Sequence, residues 1–287
     1  MASVSSHTAD TPRLKTSAGP AGGDLYQFWY DDPATVASAE AAGIAQGPPR
    51  PTSHRGKATR KRLVEEAETI FADVGYQEAS IVRITEAADV AQGTFYRYFD
   101  SKQQIFEEVV VDLNYRVRRA MTTASVAART RLDAERYGFA AFFQFTAEHP
   151  ALYRVIRQAE FVSPKALHYH YERIIASYIP RLQEAMEDGE VGAMDPTVLA
   201  WALIAVGEMT GMRWVLWDGA KAMPPEIFDE LMTVIGRMLQ NRADVDTSSR
   251  LPTSETALEH SSVAGSQLPD ANGRHDGMPS SHTRTDS

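Results

Sequence analysis

Between positions 92 and 98 the chain reads Gln-Gly-Thr-Phe-Tyr-Arg-Tyr. That is an amide, a hydroxyl, two phenols and a guanidinium within seven residues. Side chains of these types read base edges and meet phosphate oxygens. On a helix, Phe95 and Phe99 at i,i+4 share one face and point to a core. Gln92, Thr94, Tyr96, Arg97 and Tyr98 are then outward. Such a face suits the major groove of duplex DNA.

The flanking sequence supplies elements that could hold this face. Ser80 is a good N-cap, and Ile81, Ile84, Ala87 and Ala88 recur at helical spacing behind it, which predicts a helix over 80–89. Residues 90–93 make a tight joint, and 94–99 a second, very short helix. Upstream, Leu63, Ala67, Ile70, Phe71 and Val74 form one apolar face of a helix over 57–74, with Gly75 as its natural stop. Three helices in about 50 residues lie near the lower size limit for independent folding. They need the next helix, opened by a capping box at Ser101 and Gln104 and continued by Ile105, Phe106, Val109, Val110, Leu113 and Val117.

Arg55, Lys57, Arg60, Lys61 and Arg62 place five cations and no acid within eight residues, directly before this unit. A basic arm of this kind meets phosphates without reading sequence. The expected DNA-binding set is therefore Arg55, Lys57, Arg60, Ser80, Gln92, Gly93, Thr94, Tyr96, Arg97, Tyr98 and Lys102.

The run from Ser80 to Lys102 resembles the helix-turn-helix of TetR/AcrR-type transcriptional regulators. The pattern I-A-x-x-A-G-V-S-x-G-T-x-Y-x-H-F-x-S-K is met by Ile84, Ala87, Ala88, Val90, Gly93, Thr94, Tyr96, Phe99, Ser101 and Lys102. Asp89 stands where a turn glycine is usual, and Asp tolerates the left-handed conformation better than most residues. Ala91 replaces the usual serine, removing a hydroxyl that caps the recognition helix. The resemblance implies an all-α homodimer that binds a double-stranded DNA operator and is released by a small molecule. A transcriptional activator of the same fold is the alternative within the class. A DNA-binding architectural protein without sequence preference is the alternative outside it.

Composition agrees with a globular chain: 287 residues, 43% apolar and 23% charged. The absence of cysteine excludes disulfides, thiolate metal sites and a cysteine nucleophile, and fits a reducing cytoplasm. No uninterrupted apolar run reaches the roughly 18 residues of a membrane helix, so no membrane partner is expected. The net charge of −9 argues against a nucleic-acid partner only as an average. Residues 243–287 hold seven acids against three bases, which dilutes the basic arm.

Four regions are expected: a disordered extension over 1–54, the DNA-binding head over 55–104, a helical effector-binding and dimerisation domain over 105–242, and a disordered tail over 243–287. Within the extension, Tyr26, Phe28, Trp29 and Tyr30 cluster in an otherwise polar stretch. The cluster reads as a sticky segment that folds back onto the body, or as a docking motif. Beyond the head, helices are expected over 132–148, 151–161, 163–182 with a kink at Pro180, 195–217 and 224–239.

The last two helices are apolar on more than one face. Trp201, Gly207, Gly211, Leu231 and Ile235 are therefore expected at a dimer seam, the glycines permitting close approach. The dense aromatics of the middle helices suit an apolar small-molecule pocket with a few polar anchors. Phe142, Phe145, Tyr153, Phe161, His168, Tyr171, Trp201 and Trp214 are its expected walls, with His168, Tyr169, His170, Tyr171 and Arg173 as polar members. The effector is expected to be hydrophobic, a fatty acyl or aromatic molecule. His168 and His170 at i,i+2 diverge on a helix, so no metal pair is expected. No Gly-x-Ser-x-Gly elbow, phosphate loop or His-Glu-x-x-His helix occurs. No catalytic residue or cofactor is expected.

Overall fold

The computed structural model describes residues 28–44 and 46–240, and every regular element among them is helical. A one-turn 3₁₀ helix, Trp29–Asp31, leads into α1 (Pro33–Ala41), which Asp32 caps by accepting from the Thr35 amide at 3.0 Å. The head follows as α2 (His54–Glu78), α3 (Ile81–Ala87) and α4 (Gln92–Phe95). The body is α5 (Lys102–Ser125), α6 (Arg131–Glu148), α7 (Ala151–Val162), α8 (Pro164–Glu187), α9 (Pro196–Gly211), a π-helical turn Met212–Trp217, and α10 (Pro225–Leu239). The expected helices are all present; α3, α5, α8, α9 and α10 start at the expected Ser, Asp and Pro signals, whereas α2 starts three residues before Lys57, capped by Ser53.

Gly75 stops α2 in fact: its φ of +79° and ψ of 163° break the helix there, a conformation that favours glycine. Two side chains hold the break. Gln158 of α7 accepts from the Tyr76 amide (2.6 Å) and donates to the Phe71 carbonyl (3.1 Å). Lys102 donates to the carbonyls of Tyr76 (2.7 Å) and Ala79 (2.8 Å) and sits over the Tyr76 ring. The helix α8 continues through Pro180 without interruption. Pro180 and Ala176, whose carbonyl loses its partner, both lie on the exposed side, where water can replace the lost bond.

Head and body share one core. Leu63, Phe71, Ile84, Phe95 and Phe99 of the head are buried in the same cluster as Ile105, Phe106, Leu113 and Val155 of the body. A second cluster, with Phe143, Leu182, Leu203, Val215 and Ile235, joins α6, α8, α9 and α10. The stretch Pro196–Trp217 is, by length and composition, long and apolar enough to cross a membrane. Its inner residues Leu199, Ala200 and Leu203 lie in this second core, while Val198, Trp201, Met209 and Trp217 form an exposed stripe.

The N-terminal segment departs from the expectation of disorder over 1–54. Residues 1–27 and 45 lie outside the described residues, as does the whole of 241–287, with Tyr26 and the expected disordered tail. Residues 28–44, however, are folded onto the body. Trp29 is wholly buried, Phe28 nearly so, and Arg50 lies 4.8 Å above the Trp29 ring. The Tyr30 hydroxyl donates to the Lys57 carbonyl, and Lys57 pairs with Asp31 at 2.8 Å. At the far end, the Ser38 hydroxyl lies 3.2 Å from that of Tyr169 on α8, and Lys165 donates to the Gly43 carbonyl (2.6 Å). A segment this buried outweighs the Ala/Gly/Ser/Pro bias of its surroundings. Replacing Trp29 by Ala should remove about 3–5 kcal/mol of stability through the cavity left behind, measured by urea unfolding. A loss under ~0.5 kcal/mol would mean that the segment is only loosely attached.

Candidate functional site

The short helix α4 is presented by two buried rings and a turn. Phe95 and Phe99 are fully buried, 5.4 Å apart between centroids. The joint before it turns at Asp89, whose φ of +50° places it in the left-handed region that Asp tolerates. Ser80 caps α3 by accepting from the Arg83 amide (3.2 Å), so its hydroxyl is engaged in its own helix. Ala91 gives α4 no side-chain cap. The helix starts two residues earlier than expected and ends at Phe95, with Arg97, Tyr98 and Phe99 continuing in tight turns. Gln92, Gly93, Tyr96 and Arg97 are exposed and Thr94 half-buried, all in one surface run.

Three expected DNA contacts are committed elsewhere. Tyr98 is buried, because it lies three residues from Phe95 on the inward side. Arg60 is 1% exposed. Its Nε donates to Glu108 Oε1 at 2.8 Å, its Nη2 pairs with the second carboxylate oxygen, and its Nη1 donates to the Tyr98 carbonyl at 3.1 Å. The guanidinium also stacks 4.6 Å over the Phe99 ring. The ammonium of Lys102 is held by the carbonyls that follow Gly75. Of the arm, Arg55 and Arg62 are exposed, while Lys57 and Lys61 are half-buried and paired with Asp31 and Glu65.

A second buried network lies beside the first. Arg116 donates to Asp112 (2.7 Å) and pairs with Glu68 of α2. Burial pushes Asp112 up to about 6 and Glu68 up to about 7, although both face the guanidinium. Two carboxylates share one cation, so the trio carries a surplus negative charge in a desolvated place.

The body holds a mostly apolar cavity between α5, α6, α7, α8 and α9, lined by Val117, Phe139, Phe142, Tyr153, Tyr171 and Ile204 among others. Its volume is about 50 Å³, room for a few waters. Of the expected walls, Phe142, Tyr153 and Tyr171 line it. Phe145 is buried against His149 and Arg116 instead. Phe161 is 85% exposed and His168 is exposed, since both lie on outward faces of their helices. Trp201 packs on the outer side of Tyr171, and Trp214 lies under Arg213. Of the other expected polar members, His170 lines the cavity, whereas Tyr169 and Arg173 do not.

Arg118 donates to the Asn114 carbonyl oxygen, which orients that amide to donate to His170 Nδ1 (3.2 Å). The ring is thus neutral with its proton on Nε2, and burial and the Arg118 charge hold its pKa down at about 3. Glu208 at the cavity wall was not expected. Its signal was that it is the one acid in the apolar stretch 196–217.

The expected dimer seam is also corrected. A Cβ on Gly207 would stand 2.2 Å from the Phe139 ring, and one on Gly211 would stand 2.1 Å from the Tyr153 hydroxyl. Both glycines admit aromatic rings of their own chain. Leu231 and Ile235 are buried in the second core. Trp201, 46% exposed, is the one expected seam residue on the surface.

A family model described as bacterial regulatory proteins, tetR family, matches residues 63–109, the stretch from α2 through α4 into α5. Over this stretch the chain carries the DNA-binding region of TetR-family transcriptional regulators. The HTH-type transcriptional regulator YdgC of Bacillus subtilis is 31% identical over 121 residues, 39% of this chain and 58% of that one. The repressor DhaR of a Mycobacterium species is 35% identical over 78 residues, 26% of this chain and 39% of that one. The chain therefore spans little more than half of YdgC and less of DhaR. The structure of GusR from Salmonella enterica shares the fold, with a TM-score of 0.56, 24% identity, and coverage of 66% of this chain and 98% of that one.

Tyr96 and Tyr98 separate surface from core in this TetR-type head. Tyr98→Ala should cost about 3 kcal/mol, whereas Tyr96→Ala should stay within about 0.5 kcal/mol of the parent. Equal melting temperatures for the two variants would contradict the placement.

Proposed function

We propose that this TetR-family chain is a homodimeric repressor that reads an operator through α4 and is released by a hydrophobic effector. The observation that carries the reading is the surface run Gln92, Gly93, Thr94, Tyr96 and Arg97, held outward by the buried pair Phe95 and Phe99. Arg97 and Gln92 suit base edges, and Arg55 and Arg62 suit phosphates. Repression is the reading carried by the likeness to DhaR, a repressor by name.

The partner surface in this reading is the exposed stripe Val198, Trp201, Met209 and Trp217 of α9 and its π turn, with Val234 of α10. Exposed apolar side chains of this size suit a second copy of the same chain, as in isologous dimers. It replaces the glycine seam.

Release follows from α5 being common to both ends. Val117 and Met121 line the cavity, while Glu108, nine residues earlier on the same helix, holds Arg60 of the head. At 1.5 Å per residue the two points are about 13 Å apart. An effector too large for the narrow cavity moves the helix that carries the head. Two heads so displaced no longer match half-sites one helical turn apart.

Tyr96→Ala and Arg97→Ala should each weaken binding to a duplex selected from a random pool by about tenfold or more, with helical content unchanged. Sedimentation should give a dimer for the parent and a monomer for Trp201→Asp with Met209→Asp. Parental affinity in both head variants would refute the readout, and a monomeric parent would refute the assembly.

A further inference from the structure

The polar groups of the cavity are accounted for, with one exception. The Tyr153 hydroxyl donates to the Glu208 carbonyl, that of Tyr178 donates to Glu135, and His170 is held by Asn114. The Glu208 carboxylate receives only the Tyr171 hydroxyl, 2.9 and 3.0 Å from its two oxygens. Among the described residues no Lys, Arg or His lies within ion-pair distance of it, and no Lys or Arg lines the cavity. Burial pushes its pKa up, opposed by the Tyr171 hydrogen bond and the Arg157 charge. Arg157 is exposed, acts on Glu208 from beyond ion-pair distance, and directs one N–H to Met212 Sδ at 2.8 Å.

A half-buried carboxylate with one neutral donor and no cation within ion-pair distance is costly, because buried charges are ordinarily paired. It is also selective. A carboxylate-headed ligand would set two anions together in a desolvated place, whereas a cation would complete the missing pair. The faces of Tyr171, Phe142 and Tyr153 add attraction for the same charge.

We infer that the effector is an amphiphilic organic cation, a protonated amine on an aliphatic or aromatic body, whose charged head pairs with Glu208 while its body lies along Phe139, Ile174 and Ile204. The inference rests on the cavity being the effector site and narrows the effector from hydrophobic compounds at large, fatty acids included, to lipophilic amines.

The test is calorimetric titration of the full chain with n-decylamine, n-decanol and n-decanoate, each below its micelle concentration at neutral pH. The three share one tail and differ in head charge. The amine should bind at least about tenfold more tightly than the acid, with the alcohol between them. In Glu208→Gln the three affinities should converge, which also separates the site from diffuse attraction of amines to an acidic protein. Decanoate binding as tightly as decylamine would overturn the assignment, as would an amine preference that survives Glu208→Gln. Decanol binding without any preference for the amine would leave the cavity reading standing and remove the cation alone. Failure of all three to bind would remove both.

Discussion

The buried pair between Arg60 and Glu108 is the contact around which the head is built. Arg60 comes from α2, Glu108 from α5, and the third bond of the guanidinium reaches the Tyr98 carbonyl at the end of the recognition turn. Three parts of the chain, distant in sequence, are thus tied to one planar cation. Stacking on Phe99 fixes the plane of that cation and keeps the ring that supports α4 in place. The geometry is bidentate and largely desolvated, the arrangement in which arginine differs most from lysine. The net contribution of such a pair to stability is modest, but removing either partner leaves an uncompensated buried charge.

Around this contact α5 acts as a common beam. Its Glu108 meets Arg60 of α2, and its Arg116, paired with Asp112 one turn earlier, meets Glu68 of α2. Its C-terminal half, from Val117 to Met121, is a wall of the cavity. The N-terminal strap runs in parallel, from Lys57 near the start of α2 to Tyr169 and Lys165 on α8. Tyr169 adjoins His170 of the cavity, so head and ligand region are joined twice, through the beam and through the strap. Packed helices transmit small shifts of this kind because close-packed interiors do not absorb them locally.

Much of this was legible in the sequence. The helix starts, the Gly75 stop, the left-handed Asp89 and the outward position of Tyr96 and Arg97 follow from caps, turn chemistry and the i,i+4 placement of Phe95 and Phe99. The errors have physical causes. Charge alone groups Arg60 with four neighbouring cations, although its spacing to Val64, Ala67 and Phe71 puts it on the inward face of α2. Tyr98 is similarly in phase with Phe95. Gly207 and Gly211 look alike whether they admit another subunit or the chain's own rings, and only the positions of Phe139 and Tyr153 decide between these. The strap was masked by its low-complexity surroundings, although Asp32-Pro33 is a helix start of the same kind as Asp195-Pro196.

The claim that Arg60 and Glu108 act as one unit is tested most directly by a double-mutant cycle on Arg60→Met and Glu108→Leu. Urea unfolding and binding to a selected duplex would both be measured. Each single change should remove about 3–5 kcal/mol of stability, and the double change should recover most of it, because the orphaned charge is gone. Duplex binding should fall in the singles and partly return in the double. Single variants as stable as the parent, or losses that simply add in the double, would contradict the account.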